Sequence, residues 1–296
     1  MGDYAIRGLA GGGQIRLIAA RTTELVDEHR RRHGTLPTAT AALGRAVTAA
    51  ALMGLTLKGE RDRLTIQVRG DGPLGAIVVD ADAKGHVRGY VHNPKVHLPP
   101  RANGKLDVAG AVGRNGHLYV IKDLGLREPY RGSVPLVSGE LGDDFAYYFA
   151  VSEQIPSSVG LGVLVEPEGR VRAAGGFLLQ VLPGTEEALV ERLERRVAEL
   201  ASVSALIDRG LSPEELAAEV VGEPVEVAEA VPLSFACHCS RDRVKTVLAS
   251  LGKAELARLV QEQGGAEVTC QFCNEVYRLS AEEVQALADA GEGTTP

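Results

Sequence analysis

The stretch FACHCSRDRV (235–244) carries two cysteines one residue apart, Cys237 and Cys239. The only other cysteines among the 296 residues are Cys270 and Cys273, in CQFC. Zinc binds four thiolates tetrahedrally at about 2.3 Å, and structural zinc sites commonly combine two close pairs separated by a longer segment. The pattern therefore predicts a small C-terminal domain built around a metal ion. A purely structural zinc ribbon and four unrelated buried thiols remain alternatives.

The N-terminus lacks the basic region, apolar run and cleavage site of a signal peptide, so we expect a cytoplasmic protein. Structural disulfides are rare in that reducing compartment, which favours metal or redox chemistry for the cysteines. Ala39 to Leu57 is apolar, but it contains Arg45 and barely reaches the length of a membrane span. We therefore expect a buried, alanine-rich helix there and no membrane association.

The spacing of the cysteines also suits a redox switch. Metal-bound sulfurs stay deprotonated, and the thiolate is the form that oxidants convert to sulfenic acid and then to a disulfide. Each cysteine has a possible partner one or three positions away. Four thiolates around Zn²⁺ carry a formal charge of −2, which we expect Arg241, Arg243 and Lys245 to moderate. The side chain of His238 is expected to point away from the metal.

The remaining sequence predicts an α+β fold. Helices are expected after Thr22 and Thr23, after Pro37, and in GELGDDFAYYFAVSEQIP, which ends before Pro156. Short segments rich in Val and Ile, separated by turn residues, predict a mainly antiparallel sheet; they are LTIQVRG, GAIVVDAD, HVRGYVHNP, HLYVIKDLG and VRAAGGFLLQVLP.

Residues 184–230 differ from the rest of the chain in composition. They hold 4 Arg and Lys against 12 Asp and Glu, whereas the whole chain has a net charge of −7. A helix is expected with apolar residues at Leu189, Leu193, Val197 and Leu200, followed by one with a Ser212–Glu215 capping box. We predict three parts: a core domain (1–183), a helical linker of marginal stability (184–230) and a zinc-binding switch domain (231–296).

Two motifs that resemble catalytic or cofactor sites have more ordinary explanations. GDGPLG (70–75) matches a dinucleotide fingerprint, but a strand follows it where a helix is required, so we expect a hairpin turn. Ser152 and Glu153 have no partner base in the sequence. No catalytic residue is therefore predicted.

The chain resembles the bacterial 33 kDa redox-regulated heat-shock chaperone family, the heat shock protein 33 family. The resemblance rests on FACHCSRDRV and VTCQFCNEVYRLS, and on VRAAGGFLLQVLPG, YYFAVSEQIPS and VRGDGPLGAIVVDADAKGHVRGYVHNP, and it extends over essentially the whole chain.

This resemblance implies an ATP-independent holdase, which is not an enzyme and which binds unfolded client proteins. It implies that the reduced form is inactive, with one Zn²⁺ per chain held by Cys237, Cys239, Cys270 and Cys273. Oxidation would then form the Cys237–Cys239 and Cys270–Cys273 disulfides, release zinc and unfold the switch domain and linker. Oxidised members tend to form homodimers.

Two other classes of protein would share these cysteines. A zinc-ribbon nucleic-acid-binding or regulatory protein would need a basic face, but residues 231–296 carry 6 Arg and Lys against 9 Asp and Glu. A thiol oxidoreductase could use CQFC, but its C-x-x-C normally opens a helix in a βαβ unit, whereas EVYRLS predicts a strand.

Overall fold

The computed structural model describes residues 2–290. Residue contacts divide the chain into two compact units, one of residues 1–236 and one that begins at Cys237. The strands of the first unit are β1 (Tyr4–Ala10), β2 (Ile15–Arg21), β3 (Arg63–Arg69), β4 (Ala76–Asp82), β5 (His86–Val91), β6 (His117–Asp123), β7 (Tyr130–Pro135), β8 (Ser157–Val165), β9 (Val171–Val181), β10 (Glu226–Pro232) and β11 (Ser234–Phe235).

The first unit contains seven α-helices among the described residues. A π-helical turn, Phe149–Glu153, directly continues the fourth helix. In chain order the helices are α1 (Thr23–His33), α2 (Pro37–Gly54), α3 (Val108–Val112), α4 (Gly142–Tyr148), α5 (Glu187–Glu199), α6 (Val203–Asp208) and α7 (Pro213–Val221).

Two sheets form the framework of the first unit. Sheet A has the strand order β10-β1-β2-β9-β8, and sheet B has the order β11-β5-β4-β3-β6-β7. All neighbouring strands are antiparallel except β11, which pairs with β5 in parallel. The predicted α+β class with a mainly antiparallel sheet is confirmed.

Helix α2 forms the centre of this unit. Every residue of α2 except Pro37 and Arg45 is buried, because the helix packs against strands of both sheets. Its small side chains allow close approach: a Cβ at Gly54 would lie 2.6 Å from the carbonyl oxygen of Asp82. Arg45 instead reaches Glu140, at 2.5 Å. The alanine-rich run is thus a core helix, as predicted, and no helix in the described part of the chain is long and apolar enough to cross a membrane.

Several strands of sheets A and B were not expected from sequence. β1 and β2 form a hairpin whose turn contains three glycines at positive φ, and β7 and β8 are edge strands. β10 lies in the segment predicted to be a helical linker, where its acidic, exposed side chains give no alternation that marks a strand. β10 is stabilised by pairing with the distant β1, which local patterns do not reveal, whereas β2, β7 and β8 each pair with a strand close in sequence.

The glycine motif GDGPLG forms the connection between two antiparallel strands. Arg69 pairs with Ala76, so the intervening residues are a hairpin loop, as predicted. Gly75 has a φ of 69°, a conformation that favours glycine. No helix begins at this loop, and the dinucleotide interpretation is excluded.

Helices α5, α6 and α7 cover one face of sheet A. Ser212 accepts a hydrogen bond from the amide of Glu215 at 3.2 Å, and the Glu215 carboxylate accepts one from the amide of Ser212 at 2.8 Å, as the capping box predicts. The buried residues of the contact come from β1, β2 and β9 on one side and from the three helices on the other. They are Ile6, Ala10, Ile15, Leu17, Ala19, Ala173, Phe177 and Leu179, and Leu193, Val203, Leu206, Ile207, Leu216, Ala217, Val220 and Val221.

The second unit is small. It comprises α8 (Arg241–Ala249), α9 (Lys253–Gln263), a two-stranded antiparallel sheet of β12 (Gly265–Thr269) and β13 (Val276–Ser280), and α10 (Ala281–Ala290). The strand and capped helix predicted from EVYRLS and SAEEVQALADA are β13 and α10. In the described part of this unit the buried core consists of Val244, Leu248, Leu256, Ala266, Leu279, Val284 and Ala288.

Candidate metal centre

The first pair of cysteines lies in an extended segment that ends where α8 begins. Ser240 is the N-cap of α8, and its hydroxyl accepts a hydrogen bond from the amide of Arg243 at 3.2 Å. The guanidinium of Arg243 donates to the carbonyl of His238 at 2.8 Å. These bonds fix the backbone on both sides of Cys239.

The second pair occupies the tight turn that joins β12 to β13. The amide of Cys270 donates to the carbonyl of Glu275 at 2.9 Å, and the amide of Asn274 donates to the carbonyl of Cys270 at 2.8 Å. Asn274 adopts a φ of 58°, which asparagine tolerates better than most residues. The turn folds back on itself and places Cys270 and Cys273 on the same side.

The four sulfur atoms form one cluster, in which all lie within 4.8 Å of one another. The Sγ atoms of Cys237 and Cys270 are 3.7 Å apart, and those of Cys239 and Cys273 are 3.3 Å apart. Four sulfurs at zinc–sulfur bond length would be about 3.8 Å apart in a regular tetrahedron. Because a disulfide needs about 2.05 Å, these are free thiols in an arrangement that could hold a metal ion.

The surroundings of the sulfurs favour a bound cation. Cys273 is buried, and burial raises the pKa of the Cys239 and Cys273 thiols; at Cys239 a hydrogen bond from Tyr277 acts in the opposite direction. Four neighbouring thiolates therefore need a cation among them. The cluster consists of cysteines alone in the described residues, and His238 is not part of it.

Two of the basic residues after Cys239 share one carboxylate. Arg241 donates two hydrogen bonds to Glu283, at 2.7 and 2.8 Å, and Lys245 lies 3.5 Å from the same carboxylate. This pairing holds the pKa of Glu283 down at about 2, with the Arg241 hydrogen bonds as the largest cause. Arg241 and Lys245 thus join α8 to α10, whereas Arg243 contacts the backbone of the cysteine segment at His238.

Comparison with known proteins identifies the family to which the chain belongs. A family model described as Hsp33 protein matches residues 3–280. The chain belongs to the Hsp33 family.

Known relatives are similar to this chain over nearly their whole length. A "33 kDa chaperonin" of Geobacillus kaustophilus is 56% identical over 288 residues, covering 97% of this chain and 98% of the relative. One of Bacillus subtilis is 52% identical over 287 residues, again 97% and 98%. The crystal structure of the 33 kDa chaperonin (heat shock protein 33 homolog) of Thermotoga maritima aligns with a TM-score of 0.93 at 40% identity, covering 99% of this chain and 100% of that one. Membership of the Hsp33 family supports a chaperone function.

Proposed function

We propose that this Hsp33 protein is a redox-regulated, ATP-independent holdase that binds unfolding proteins and prevents their aggregation. It is inactive when reduced and bound to zinc, and it becomes active when its cysteines are oxidised and zinc leaves. The observation that carries this proposal is the cluster of four free cysteine sulfurs within 4.8 Å of one another in a chain of this family.

In this proposal Cys237, Cys239, Cys270 and Cys273 hold one zinc ion per chain. Zinc supplies the positive charge that keeps four neighbouring sulfurs deprotonated. The choice of zinc is supported by the all-sulfur donor set and by distances close to those of a tetrahedron. The two pairs reach the cluster from separate segments, so the ion connects the residues before α8 to the turn between β12 and β13.

Oxidation by hydrogen peroxide converts one thiolate of a pair to a sulfenic acid, with release of one hydroxide ion. The second thiol attacks that sulfur, a disulfide forms and one water leaves. Each disulfide thus consumes one peroxide, one thiolate and one thiol and yields one hydroxide ion and one water. We propose Cys237–Cys239 and Cys270–Cys273 as the pairs, on the family resemblance; the shortest distances join Cys237 to Cys270 and Cys239 to Cys273, so cross-pairing is the alternative to test.

Loss of the metal should unfold the second unit. Among the described residues its buried core has seven members, and two of those are alanines. A core of this size stabilises little by itself, and domains this small usually need a metal, disulfides or a partner. A disulfide within each close pair does not replace the long-range connection that the ion makes.

The linker would then release a buried apolar surface. Helices α5–α7 protect the apolar face of sheet A, and polar contacts also hold this segment: the Tyr4 hydroxyl donates to Glu214, the Gly11 amide donates to Glu223, and Arg172 on β9 donates to Asp208 on α6, each at 2.7 Å. Detachment would expose both sides of this contact. Contiguous apolar surface of this kind binds unfolded polypeptides without sequence preference.

The division into a core (1–183), a linker (184–230) and a switch domain (231–296) is part of this proposal. The helices of the linker pack within the first unit, which is what an inactive state requires. We further propose that the oxidised protein forms homodimers, that it works in the cytoplasm, and that it has no catalytic site.

The test measures light scattering from a thermally aggregating client while a chromogenic chelator reports zinc. Reduced protein should not suppress aggregation, and peroxide-treated protein should do so as about one zinc per chain appears. Mass spectrometry of tryptic peptides distinguishes the disulfides, because each close pair lies within one peptide. Zinc release without any gain of activity would mean that the site is structural only.

A further inference from the structure

A cleft of about 680 Å³ opens in the first unit and is lined by residues of that unit. It lies where β1 and β2 pass the C-terminal end of α2 and the turn between β4 and β5, with β10 along one side. Its volume is within the range of small-molecule sites, about 300–1,000 Å³.

Four cationic side chains from separate segments line this cleft. Arg7 comes from β1, Arg16 from β2, Lys58 from the segment after α2, and Lys84 from the turn between β4 and β5. The carboxylates in the lining are Glu60 and Glu229. Four positive charges against two negative ones leave the cleft with a local excess of two positive charges, in a chain whose net charge is −7.

The two carboxylates are already engaged at the rim. Glu229 pairs with Arg7, and Glu60 lies 3.4 Å from Lys84. The backbone also holds Arg7 in place, since the Arg7 guanidinium donates a hydrogen bond to the carbonyl of Leu55 at 3.0 Å. These contacts fix the positions of the cations without neutralising the cleft as a whole.

Arg16 is the residue that points most clearly to a ligand. Its guanidinium is half-buried, and its hydrogen bonds go to the neutral Gln180, including one from Nε at 3.0 Å. No carboxylate of the described residues lies within ion-pair distance of Arg16 or of Lys58. Burial lowers the pKa of Arg16; Glu153 acts against this lowering, and the neighbouring Arg7 adds to it. A half-buried cation without a counter-ion is costly unless an anion completes the site.

We propose that this cleft binds the phosphate groups of a small oligophosphate. Arginine presents paired N–H donors that match phosphate oxygens, and several cations from different segments suit a ligand with more than one negative charge. The cleft is larger than a single phosphate ion requires. Apolar side chains of Ile18, Leu57 and Val231 form another part of the lining and could contact an organic group attached to the phosphates.

Calorimetric titration of the full-length reduced protein with inorganic pyrophosphate, and separately with ADP, tests this proposal. Wild-type protein should bind one equivalent of pyrophosphate, and the affinity should fall as salt is raised. Arg16→Gln should weaken binding at least tenfold, and Lys58→Gln should weaken it by a smaller factor. Arg131→Gln, an exposed arginine on β7 outside the cleft, is the matched control and should bind as wild type does.

The melting temperature of each variant without ligand shows whether it is folded. Lys58 is exposed, so Lys58→Gln decides the matter if Arg16→Gln does not fold. Equal affinity for ADP and pyrophosphate would mean that the cleft recognises only the phosphates. Tighter binding of ADP would place its nucleoside against the side chains of Ile18, Leu57 and Val231. The proposal is overturned if neither ligand binds at low millimolar concentration, or if Arg131→Gln loses as much affinity as the cleft variants. Chaperone activity plays no part in this test, so its outcome is independent of the proposed function.

Discussion

The hydroxyl of Tyr277 donates a hydrogen bond of 3.1 Å to Sγ of Cys239. Tyr277 lies on β13, which leaves the turn containing Cys270 and Cys273, so the bond joins one cysteine segment to the strand that supports the other. A donor to a thiolate stabilises its charge and reduces its reactivity. Tyr277 therefore acts directly on one of the four sulfurs.

Replacing Tyr277 by Phe should make the centre easier to oxidise. A hydrogen bond of this kind contributes about 1 kcal/mol, which corresponds to roughly fivefold in rate. We expect Tyr277→Phe to release zinc about fivefold faster at a fixed peroxide concentration, as followed with a chromogenic chelator. Arg278→Gln, on the same strand but paired with Glu267, is the control and should not differ from wild type. An unchanged rate in Tyr277→Phe would show that the hydrogen bond does not protect Cys239.

Removing the metal from reduced protein should unfold the second unit while the two sheets of the first remain. The seven-residue core of the second unit is too small to persist alone, whereas α2 and the sheets enclose a far larger one. Amide hydrogen exchange after treatment with chelator and reductant should show rapid exchange in β12, β13 and α10 and continued protection in β2, β3 and β9. Protection that survives in β12 and β13 would contradict the proposed role of the metal in folding.

Loosening the linker should activate the protein without oxidation. Leu216 on α7 is fully buried against sheet A, and Leu→Ala changes at such sites cost about 2–5 kcal/mol. We expect reduced Leu216→Ala to suppress client aggregation while it still holds its zinc. Arg195→Ala, on the exposed side of α5, should behave as wild type does. If hydrogen exchange shows α7 detached and aggregation is not suppressed, the face of sheet A is not the client surface.

The buried Asp3 should make stability depend on pH. Burial raises the pKa of Asp3 to about 6, against a backbone hydrogen bond from Leu25 that lowers it. The folded state therefore holds this proton more tightly than the unfolded state does, and stability falls as pH rises from about 4 to about 6, by at most about 2–3 kcal/mol. Above pH 6 the loss is complete and constant.

Denaturant unfolding of wild type and Asp3→Asn between pH 4 and 8 isolates this effect. Asparagine keeps an acceptor for the amide of Leu25, so the stability of the variant relative to wild type should rise between pH 4 and 6 and then level off. The buried His29, whose pKa is lowered to about 4 by burial, acts in the opposite direction but is present in both proteins and cancels. A flat difference across this range would show that Asp3 does not titrate as described.

The cysteine cluster was predictable from sequence because the members of each pair are close in the chain. One residue separates Cys237 from Cys239 and two separate Cys270 from Cys273, and four thiols confined to one quarter of a chain have few other uses. Helix starts such as Ser212 were predictable for the same reason, since the cap and its partner are three residues apart. The contact of Tyr277 with Cys239 was not, because a tyrosine on a short strand is ordinarily a packing residue.

One missed strand has a partner that is remote in sequence. Glu226–Pro232 has no alternation of apolar residues and becomes a strand only by pairing with β1. The pairing of Arg241 and Lys245 with Glu283 was not predictable either, because Glu283 lies far along the chain. Local sequence patterns predict single helices and strands, whereas contacts between residues far apart in the sequence are seen only in the structure.

The pairing of β1 with β10 has a consequence for how the protein is made. Tyr4 lies opposite Pro232, so β1 cannot pair with β10 until more than two hundred further residues have left the ribosome. Until then the outer edge of β1 has unpaired backbone groups, and the apolar face of sheet A lacks α5–α7. A newly synthesised molecule thus passes through a form with an open edge and an uncovered face before its own cysteines have been translated, and we expect this nascent form to be the one most prone to associate with other chains.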